Sequence, residues 1–322
     1  MKLERKFFHY LKKEQLFEKG DKVLLAFSGG ADSVGAFWLL WSVRQVFHLE
    51  ISLCYVNHGL REDSQDEATF VRMFAHENKV ALFETVWEEG KNTTTNVEEN
   101  AREFRYKFLE QIQREYGFDK TVTAHHGDDL VETILMKLLR GTYLPNLIGI
   151  RKERIFSSGK LVRVLLPYSK CELLEYMREK KQMFVEDSTN ESEQYFRNRV
   201  RKTLLPFIQK ENPSYLNRFN HFSKEVSYFN DFTQTLAQVY LKENMRQTKD
   251  GFVLKNMKKN TRAQNYIYLS QAFQSIGIAD IVLNFEQLEQ ILDALESPQS
   301  PLVIQLEKGR QVKVTTKELE FL

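Results

Sequence analysis

The segment whose residues are best suited to chemistry joins a short apolar run to a helix-like run and is rich in glycine and hydroxyl groups. It contains Ser28, Gly29, Gly30, Ala31, Asp32 and Ser33. Two consecutive glycines allow a sharp turn that directs backbone N–H groups towards an anion, and the helix N-terminus adds further donors. Because the Asp32 carboxylate would repel phosphate without an intervening cation, the segment predicts a magnesium–nucleotide site with Asp32 facing the metal.

This glycine-rich segment differs from a Walker A loop, which has the pattern Gly-x-x-x-x-Gly-Lys-Ser/Thr. No lysine follows Gly29 and Gly30, so the segment places no cation near a γ-phosphate. A loop that holds the β,γ-pyrophosphate as a leaving group fits these residues better. The sequence therefore predicts cleavage between the α- and β-phosphates, which is adenylation rather than phosphorylation.

A second group of ionisable residues follows the strand-like run at positions 120–124. It comprises His125, His126, Asp128, Asp129 and Glu132. Collecting such side chains at a strand end costs free energy unless they are paired or bind a ligand. They can coordinate magnesium, orient a nucleotide or move protons, and one of the two aspartates is also expected to cap the next helix.

Three smaller motifs are candidates on weaker grounds. Asn57 and His58 end another strand-like run. Arg102 and Arg105 share a helix face, which is either a solvated, ion-paired surface or a guanidinium clamp for an adenylate or a tRNA phosphate. Arg140, just before Gly141, either complements a helix C-terminus or contacts the substrate.

The most basic stretch lies at positions 197–202. It contains Arg197, Asn198, Arg199, Val200, Arg201 and Lys202. Four cations on one helix repel each other unless anions lie nearby, and an RNA backbone would supply those anions. Tyr195 and Phe196 precede the stretch and are candidates for stacking on a splayed base, so the alternative of a solvated basic helix end is less favoured.

Alternating strand-like and helix-like runs surround these motifs from residue 21 to about 167. Such alternation predicts an α/β fold, a Rossmann-like parallel sheet with helices on both faces. Ligands bind beyond the carboxyl ends of such strands, where the runs ending at Ser28, Asn57 and His125 would meet. We expect a catalytic domain at 1–212 and, at 213–322, a smaller, mostly helical domain that ends in a β-hairpin at 302–314.

Composition excludes several classes of protein. The net charge of +2 excludes a globally basic nucleic-acid binder but permits a basic patch. Cys54 and Cys171 are far apart and no Cys-x-x-Cys motif occurs, so a structural zinc or iron–sulfur site is not expected. Reduced cysteines, together with no run of signal-peptide or membrane-spanning type, predict a cytoplasmic protein that does not bind membranes.

Taken together, the motifs resemble the tRNA(Ile)-lysidine synthetase family, a branch of the PP-loop (N-type) ATP pyrophosphatases. The matching stretches are SGGADS (28–33), YVNHGLRED (55–63), AREFRY (101–106), TAHHGDDLVET (123–133), LLRGT (138–142) and VEDSTNESEQYFRNRVRKTLLP (185–206). They occur in the family's order over about the first two thirds of the chain. After Gly141 the sequence departs from the family's glycine-rich continuation, and the last third is similar only loosely.

The resemblance implies an enzyme, a carbon–nitrogen ligase that uses ATP and Mg²⁺. It would adenylate C2 of the wobble cytidine (position 34) in tRNA(Ile) with a CAU anticodon, and the ε-amino group of free L-lysine would then attack to give lysidine, AMP and pyrophosphate. The lysine amine has an unperturbed pKa of about 10.4, so a carboxylate base is expected, with Asp128 or Asp129 as candidates. A homodimer is left open as the assembly.

The resemblance also implies that the region at 213–322 binds tRNA or substrate, and it distributes roles among the candidate residues. The catalytic set is Asp32, Arg105, Asp128 and Asp129, and the metal ligands are Asp32 and Asp129. The nucleotide set is Ser28, Gly29, Gly30, Ala31, Asp32, Ser33, Asn57, His58, His125 and His126. The tRNA or substrate set is Arg102, Arg140, Arg197, Asn198 and Arg201.

Two other PP-loop activities are alternatives, and a non-enzymatic RNA-binding module is a third. A thiolase-like tRNA-modifying enzyme would use cysteines to carry sulfur, for which Cys54 and Cys171 have neither the pairing nor the placement. An ammonia-dependent amidotransferase would need an ammonia source, and the sequence shows no glutaminase nucleophile motif. An RNA-binding module would explain residues 195–202 but not the loop at 28–33 together with the acidic group at 128–132.

Overall fold

The fold was determined from a computed structural model of the chain. It describes residues 2–59, 64–88, 96–142, 144–185, 196–249, 251–275, 285–297, 301–306, 309–315 and 318–322. Tyr195, which was predicted to stack on a base, and the hairpin-turn residues Glu307 and Lys308 lie outside these ranges.

The first sheet has six strands in the order β3-β2-β1-β4-β6-β5. Its strands are β1 (Lys22–Ala26), β2 (Glu50–Asn57), β3 (Leu82–Val86), β4 (Lys120–Val122), β5 (Glu153–Phe156) and β6 (Gly159–Val162). All neighbouring pairs are parallel except β5 and β6, which are antiparallel. The predicted parallel sheet is therefore confirmed.

The described residues form the following α-helices. They are α1 (Lys2–Glu14), α2 (Ala31–Phe47), α3 (Ser64–Glu77), α4 (Val97–Tyr116), α5 (Gly127–Arg140), α6 (Lys170–Glu179), α7 (Phe196–Arg199), α8 (Leu205–Glu211), α9 (Tyr215–Asn244), α10 (Arg262–Ser275) and α11 (Phe285–Glu296). A π-helical turn, Val200–Leu204, joins α7 to α8, and short 3₁₀ segments occupy Leu144–Ile148 and Met257–Lys259.

Helices cover both faces of the first sheet, because the central strand β1 is apolar on both sides. Val23, Leu24 and Leu25 are all fully buried. Val23 and Leu25 pack in a core with residues of α1, α2, α3 and α6, whereas Leu24 packs in a separate core with residues of α4. Alternate side chains of a strand point to opposite faces, so this division confirms a sheet enclosed between two helical layers.

Two elements near the site differ from the sequence pattern. The apolar run at 161–166 predicts a strand, but β6 ends at Val162 and pairs with β5 in a hairpin that the sequence did not indicate. The pattern after the two histidines predicts a helix from Val131 to Leu139, but α5 already begins at Gly127. A side chain at Gly127 would lie within 2.9 Å of the carbonyl oxygens of Leu166 and Tyr168, so glycine allows the chain to pass close to these groups before the helix begins.

The C-terminal region contains more sheet than the hairpin at 302–314 and the candidate strand at 251–254 that the sequence indicates. The hairpin is formed by β9 (Leu302–Gln305) and β10 (Gln311–Val314), which pair antiparallel. The candidate strand is confirmed as β8 (Phe252–Lys255). Both belong to a five-stranded sheet of order β7-β8-β11-β10-β9, which also includes β7 (Met245–Gln247) and β11 (Glu318–Phe321). The short length of β7 and β11 explains why their period-two pattern gave no clear signal.

The chain divides into two compact units. The first comprises residues 1–136 and 149–221, and the second comprises 137–148 and 222–322. The division falls within α9, whereas the functional boundary predicted at 212/213 lies just before that helix. Among the described helices, none combines the length and the apolar character needed to cross a membrane.

Candidate functional site

The glycine-rich segment forms a tight loop between β1 and α2. Gly29 has a φ of +80°, and a Cβ atom built on it would lie 3.1 Å from Cδ1 of Phe70. Gly30 is the residue before the first turn of α2, and its backbone is extended. Because the amides of that first turn have no partner within the helix, they face the space beyond the loop as anion donors.

The two serines hold this loop in shape. The Ser33 hydroxyl donates to the Gly30 carbonyl at 3.0 Å and accepts from the Ser28 N–H at 3.2 Å. The two hydroxyl oxygens lie 3.3 Å apart, and Ser33 is 3% exposed. Ser33 thus supports the loop from inside, although the sequence also suggested it as a direct phosphate donor.

A segment that follows α6 fixes the loop from the other side. The Val185 N–H donates to the Gly29 carbonyl at 2.9 Å, and Gly30 and Val185 form an isolated parallel bridge. A similar isolated bridge joins His126 to Leu165. Short backbone pairings therefore extend the sheet beyond its strands and into the loops of the site.

Asp32 lies in the first turn of α2, and its side chain is 32% exposed. Its Oδ1 atom accepts a hydrogen bond from the Lys170 Nζ at 2.6 Å and lies 3.8 Å from Nε2 of His126. The structure therefore brings the loop at 28–33 next to the ionisable group that begins at His125, because His126 lies beside Asp32. It also adds Lys170, which belongs to neither motif.

Asp129 is buried at the start of α5, where its two oxygens contact different donors. Oδ2 accepts from the His126 backbone N–H at 2.9 Å, and Oδ1 lies 2.6 Å from a guanidinium nitrogen of Arg197. Burial on its own would raise the pKa of Asp129, but His126 and Arg197 together hold that pKa below its ordinary value. Asp129 is therefore an anion at neutral pH, and His126 links it to Asp32.

Asp128 connects the beginnings of three helices. Its Oδ2 accepts from the Lys170 backbone N–H at 2.9 Å, and its Oδ1 accepts a short hydrogen bond from the Tyr215 hydroxyl. The side chain belongs to a residue that is 3% exposed. Asp128 thus acts as a structural pin that joins the starts of α5, α6 and α9, and its predicted role as a base stays a prediction.

Arg197 and Arg201 bind carboxylates of α5. Arg197 Nε donates to Glu132 Oε2 at 2.8 Å, and Arg201 Nε donates to Glu132 Oε1 at 2.6 Å, while Glu132 is fully buried. This network corrects the premise behind their predicted tRNA binding. Asp129 and Glu132 provide the anions that the basic stretch requires, so its charge alone does not indicate RNA.

His125 is uncharged in this environment. Burial lowers its pKa to about 3, against an opposing effect of Asp129, and Nδ1 shares a 2.9 Å hydrogen bond with the Thr123 hydroxyl. A neutral imidazole can accept or donate a hydrogen bond to a nucleotide without adding charge, and it cannot act as a cationic phosphate ligand near pH 7.

The remaining candidate residues lie at the end of β2 and on α4, α5 and α7. Asn57 and His58 end β2, where the Asn57 side chain accepts from the Gly59 N–H at 2.9 Å and the His58 ring packs edge-on against Trp87. Arg102 and Arg105 are exposed on α4, with Arg102 over the ring of Tyr106. Asn198 is half-buried on α7, and Arg140 is exposed at the end of α5 within the second unit.

The sequence motifs missed Lys170 and Tyr215 as members of this constellation. One signal for Lys170 was present, because it follows the apolar run 161–166 and Pro167 just as the other site residues follow strands. Tyr215 gave no such signal, since it begins a long helix without any neighbouring chemical motif.

The donor set fits a nucleotide with a hard cation. The loop offers backbone amides and the close approach that Gly29 and Gly30 allow, and Asp32 offers a partly exposed carboxylate. Among the described residues no group of three or more His, Cys, Asp or Glu side chains could hold a metal by itself. Mg²⁺ typically takes one or two carboxylates and completes its shell with phosphates and water, so one aspartate beside a phosphate loop meets the requirement.

Comparison with known proteins identifies the first unit's fold. A family model described as a PP-loop domain matches residues 1–208. A solved U34-tRNA thiolase from Methanococcus maripaludis, determined with its 4Fe–4S cluster, superposes with a TM-score of 0.58 at 17% identity and covers 70% of this chain and 80% of that chain. At this identity the likeness concerns the fold alone.

Curated relatives extend the similarity beyond this domain. A tRNA(Ile)-lysidine synthase from Enterococcus faecalis is 35% identical over 298 residues, which cover 92% of this chain and 64% of the relative. One from Lactococcus lactis is 40% identical over 223 residues, which cover 69% of this chain and 50% of the relative. The chain thus spans about half to two thirds of the length of these relatives.

Proposed function

The chain belongs to the PP-loop domain family, and we propose that it acts as a tRNA(Ile)-lysidine synthetase. Membership of this family implies the use of ATP. The proposal is carried by one observation, the partly exposed Asp32 at the glycine-rich loop, joined through His126 to the buried Asp129. It is supported by the names of relatives that match 92% and 69% of the chain.

The proposed reaction has two steps. The C2 oxygen of the wobble cytidine in a CAU-anticodon isoleucine tRNA bonds to the α-phosphorus of ATP, and the bond to pyrophosphate breaks. The ε-ammonium group of free lysine first loses a proton to a base, the amine nitrogen then bonds to C2, and the C2–O bond breaks with release of AMP. The first step is needed because the carbonyl oxygen of cytosine is not a leaving group.

We assign nucleotide binding to the loop and the residues beside it. The first-turn amides of α2 bind phosphate, Ser28 and Ser33 keep the loop tight, and Asp32 would hold Mg²⁺, which would supply positive charge to the phosphates. Asn57, His58, His125 and His126 remain candidates for contact with the rest of the nucleotide, and Ala31 contributes only backbone.

We assign the lysine-directed base role to Asp129 in preference to Asp128. Asp129 lies beside His126 and Arg197, whereas Asp128 pins three helices. An anionic Asp129 attracts the protonated lysine side chain and orients it, in addition to receiving its proton. A second metal ligand from Asp129 is disfavoured, because a guanidinium group and a backbone amide already contact its oxygens.

We propose that contact with tRNA involves the exposed arginines. Arg102 and Arg105 on α4 and Arg140 on α5 are exposed, whereas Arg197 and Arg201 engage α5. Arg197, Arg201 and the adjacent Asn198 would then act on tRNA through the position of α7 rather than as its principal phosphate ligands.

Thiolase chemistry is less well supported by the described residues. Cys54 is buried in β2, where burial raises the pKa of its thiol to about 12, and Cys171 lies exposed on α6. A thiol with such a raised pKa is a poor nucleophile at neutral pH. Neither cysteine is therefore placed as a sulfur carrier, although the fold resembles that of a thiolase.

The function is tested by incorporation of labelled lysine into a CAU-anticodon isoleucine tRNA in the presence of ATP and Mg²⁺. The protein should incorporate lysine, and Asp32→Ala should reduce incorporation by about a thousandfold or more, as expected when a charge that stabilises the transition state is removed. Asp66→Ala is the matched control, since Asp66 is an exposed aspartate in the first turn of α3. Near-normal incorporation by Asp32→Ala would refute the proposal.

A further inference from the structure

The nucleotide loop has no cation of its own, although a bound triphosphate carries several negative charges. A helix N-terminus supplies only about half a positive charge. The structure places the ammonium group of Lys170, from α6, 2.6 Å from Asp32 at the loop. We propose that Lys170 is the cation that binds the β,γ-pyrophosphate of ATP, an inference that rests on the function proposed above and names a binding residue for it.

The backbone of Lys170 is held firmly. Its N–H donates to Asp128 Oδ2 at 2.9 Å, and the preceding Ser169 caps α6 through reciprocal hydrogen bonds with Glu172. A fixed backbone keeps the ammonium group within reach of Asp32 and the loop, and the flexible four-carbon side chain lets it move between neighbouring oxygens. Lys170 therefore meets a ligand at the loop without rearrangement of its helix.

The helix that carries Lys170 is also fixed relative to the loop. It packs against α2, where a Cβ on Gly35 would lie 3.9 Å from both Leu173 and Met177. The chain that leaves α6 returns to the loop, where the Val185 N–H donates to the Gly29 carbonyl. The distance from the start of α6 to the phosphate-binding amides is thus set by two independent contacts.

The Lys170–Asp32 pair is easily exchanged for contacts with a ligand. Its side chains are 39% and 32% exposed, and ion pairs as exposed as this contribute little to stability. When a magnesium nucleotide binds, Asp32 can turn to the metal and Lys170 to phosphate oxygens with little loss. A lysine suits this task, because its compact point charge does not require the planar geometry of an arginine.

The pyrophosphate is the part of ATP that gains most from this cation. Charge develops on the bridging oxygen as the bond to the α-phosphorus breaks, and a positioned ammonium group stabilises it. Lys170 thereby supplies from a distant helix the cation that a Walker A loop carries within itself. The alternative is that Lys170 only neutralises Asp32 in the folded protein, in which case it would not distinguish ATP from AMP.

The first test measures equilibrium binding of ATP, pyrophosphate and AMP with Mg²⁺, without lysine or tRNA. Lys170→Gln should weaken binding of ATP and pyrophosphate about tenfold or more, about 1.4 kcal/mol, and binding of AMP less than about twofold. Lys180→Gln is the matched control, because Lys180 follows the same helix and pairs with Glu4 at 2.6 Å. Unchanged ATP binding by Lys170→Gln, or an equal loss for AMP, would overturn the inference.

The second test uses the unaltered protein, so it does not depend on whether a variant folds. Lysine acylation is mapped by mass spectrometry with ATP, pyrophosphate or AMP present. ATP and pyrophosphate should protect Lys170 and leave Lys180 reactive, and AMP should protect neither; equal reactivity of Lys170 in all samples contradicts the inference. Since neither test needs tRNA, a protein that binds ATP through Lys170 but forms no lysidine would refute only the proposed function.

Discussion

Gly29 shows how a single residue sets the shape of the loop. Its φ of +80° is a conformation that costs an L-residue about 1–2 kcal/mol, and its missing side chain leaves room for Phe70. The sequence predicted that Gly29 and Gly30 allow a sharp turn. The structure adds a second reason for glycine at position 29, which is the close approach of Phe70.

We expect Gly29→Ala to lower stability and to weaken ATP binding about tenfold, because the added methyl group strains the loop and displaces its amides. Gly20→Ala is the control: Gly20 has a φ of +88° but nothing within 4 Å of an added Cβ. Both variants should lose about 1–2 kcal/mol of stability from the backbone conformation, and only Gly29→Ala should lose affinity as well. Thermal unfolding and ATP titration measure the two effects; equal ATP affinity in both variants would contradict the prediction.

His125 should remain uncharged to below pH 5. Its pKa is lowered to about 3 in the folded protein from an ordinary value of 6.5, so the unfolded chain binds a proton first as pH falls. Stability from this residue is therefore complete above pH 6.5 and decreases as pH falls towards 3, by about 1–2 kcal/mol between pH 7 and 5. The His125 ring resonances in an NMR titration should not move over that range, and a titration midpoint near 6.5 would contradict the prediction. His125→Gln should remove the corresponding part of the pH dependence of unfolding.

Helix starts, rather than whole helices, carry the functional groups of the first unit. The first turn of α2 holds Asp32, that of α5 holds Asp128 and Asp129, and that of α6 holds Lys170. These starts lie at the carboxyl edge of the parallel sheet, where side chains from distant parts of the sequence meet. Asp128 keeps the starts of α5, α6 and α9 in register.

Because Asp128 holds three helix starts together through hydrogen bonds, we expect its isosteric variant to keep most of its activity. Asp128→Asn keeps an acceptor for the Lys170 N–H and a partner for Tyr215, so turnover should stay within about tenfold of the unaltered protein. Asp128→Ala leaves both donors without their acceptor and should lose about 2–4 kcal/mol of stability, with Tyr215→Phe losing about 1 kcal/mol. Lysine incorporation and urea unfolding measure these effects. Loss of turnover in a stable Asp128→Asn protein would instead support the base role.

The ion-pair network of α5 and α7 predicts an asymmetry between its two sides. Replacing both Arg197 and Arg201 by methionine leaves the buried Glu132 carboxylate without its cations and should cost about 3–5 kcal/mol. Glu132→Gln leaves arginines that are about one third exposed and can turn to water, so it should cost about 1–3 kcal/mol. Chemical denaturation measures both; an equal or reversed order would show that the arginines do not compensate a buried charge.

The sequence predicted the strands of the first sheet and the residues at their ends better than it predicted which side chains contact each other. Ser28, Asn57 and His125 were expected at adjacent strand ends, and β1 does lie between β2 and β4. Apolar runs and turn residues are local properties, so they are visible in a single chain. That Arg197 contacts Glu132 depends on where α7 lies against α5, and a long-range contact of this kind cannot be read from the spacing of residues along the chain.

At the scale of the whole molecule, the first unit extends past the predicted boundary into α9. Tyr215 and Leu216 are buried with Val131 and Leu205, and Tyr215 also bonds Asp128. The sequence favoured a boundary near Pro213 because proline and polar residues are typical of linkers. The residues that follow nevertheless complete the core of the first unit.

This arrangement predicts the effect of truncation. A chain ending at residue 212 lacks Tyr215 and Leu216 and should unfold at least about 2–4 °C below a chain ending at 221, since a loss of about 1 kcal/mol or more lowers the melting temperature by that amount in a domain of about 150–250 residues. The comparison of the two fragments by calorimetry or circular dichroism measures it. Equal melting temperatures would place the structural boundary at 212 instead.

The contacts of Val185 with the loop and of Tyr215 with Asp128 also bear on synthesis. The loop residues 28–33 leave the ribosome early, but the backbone groups that close the loop arrive only with residue 185, and the pin of α5 and α6 only with residue 215. Domains fold as units during translation when their contacts become available. A growing chain therefore cannot complete its nucleotide site until residue 215 has been made, and partial chains released before that point should not compete for ATP.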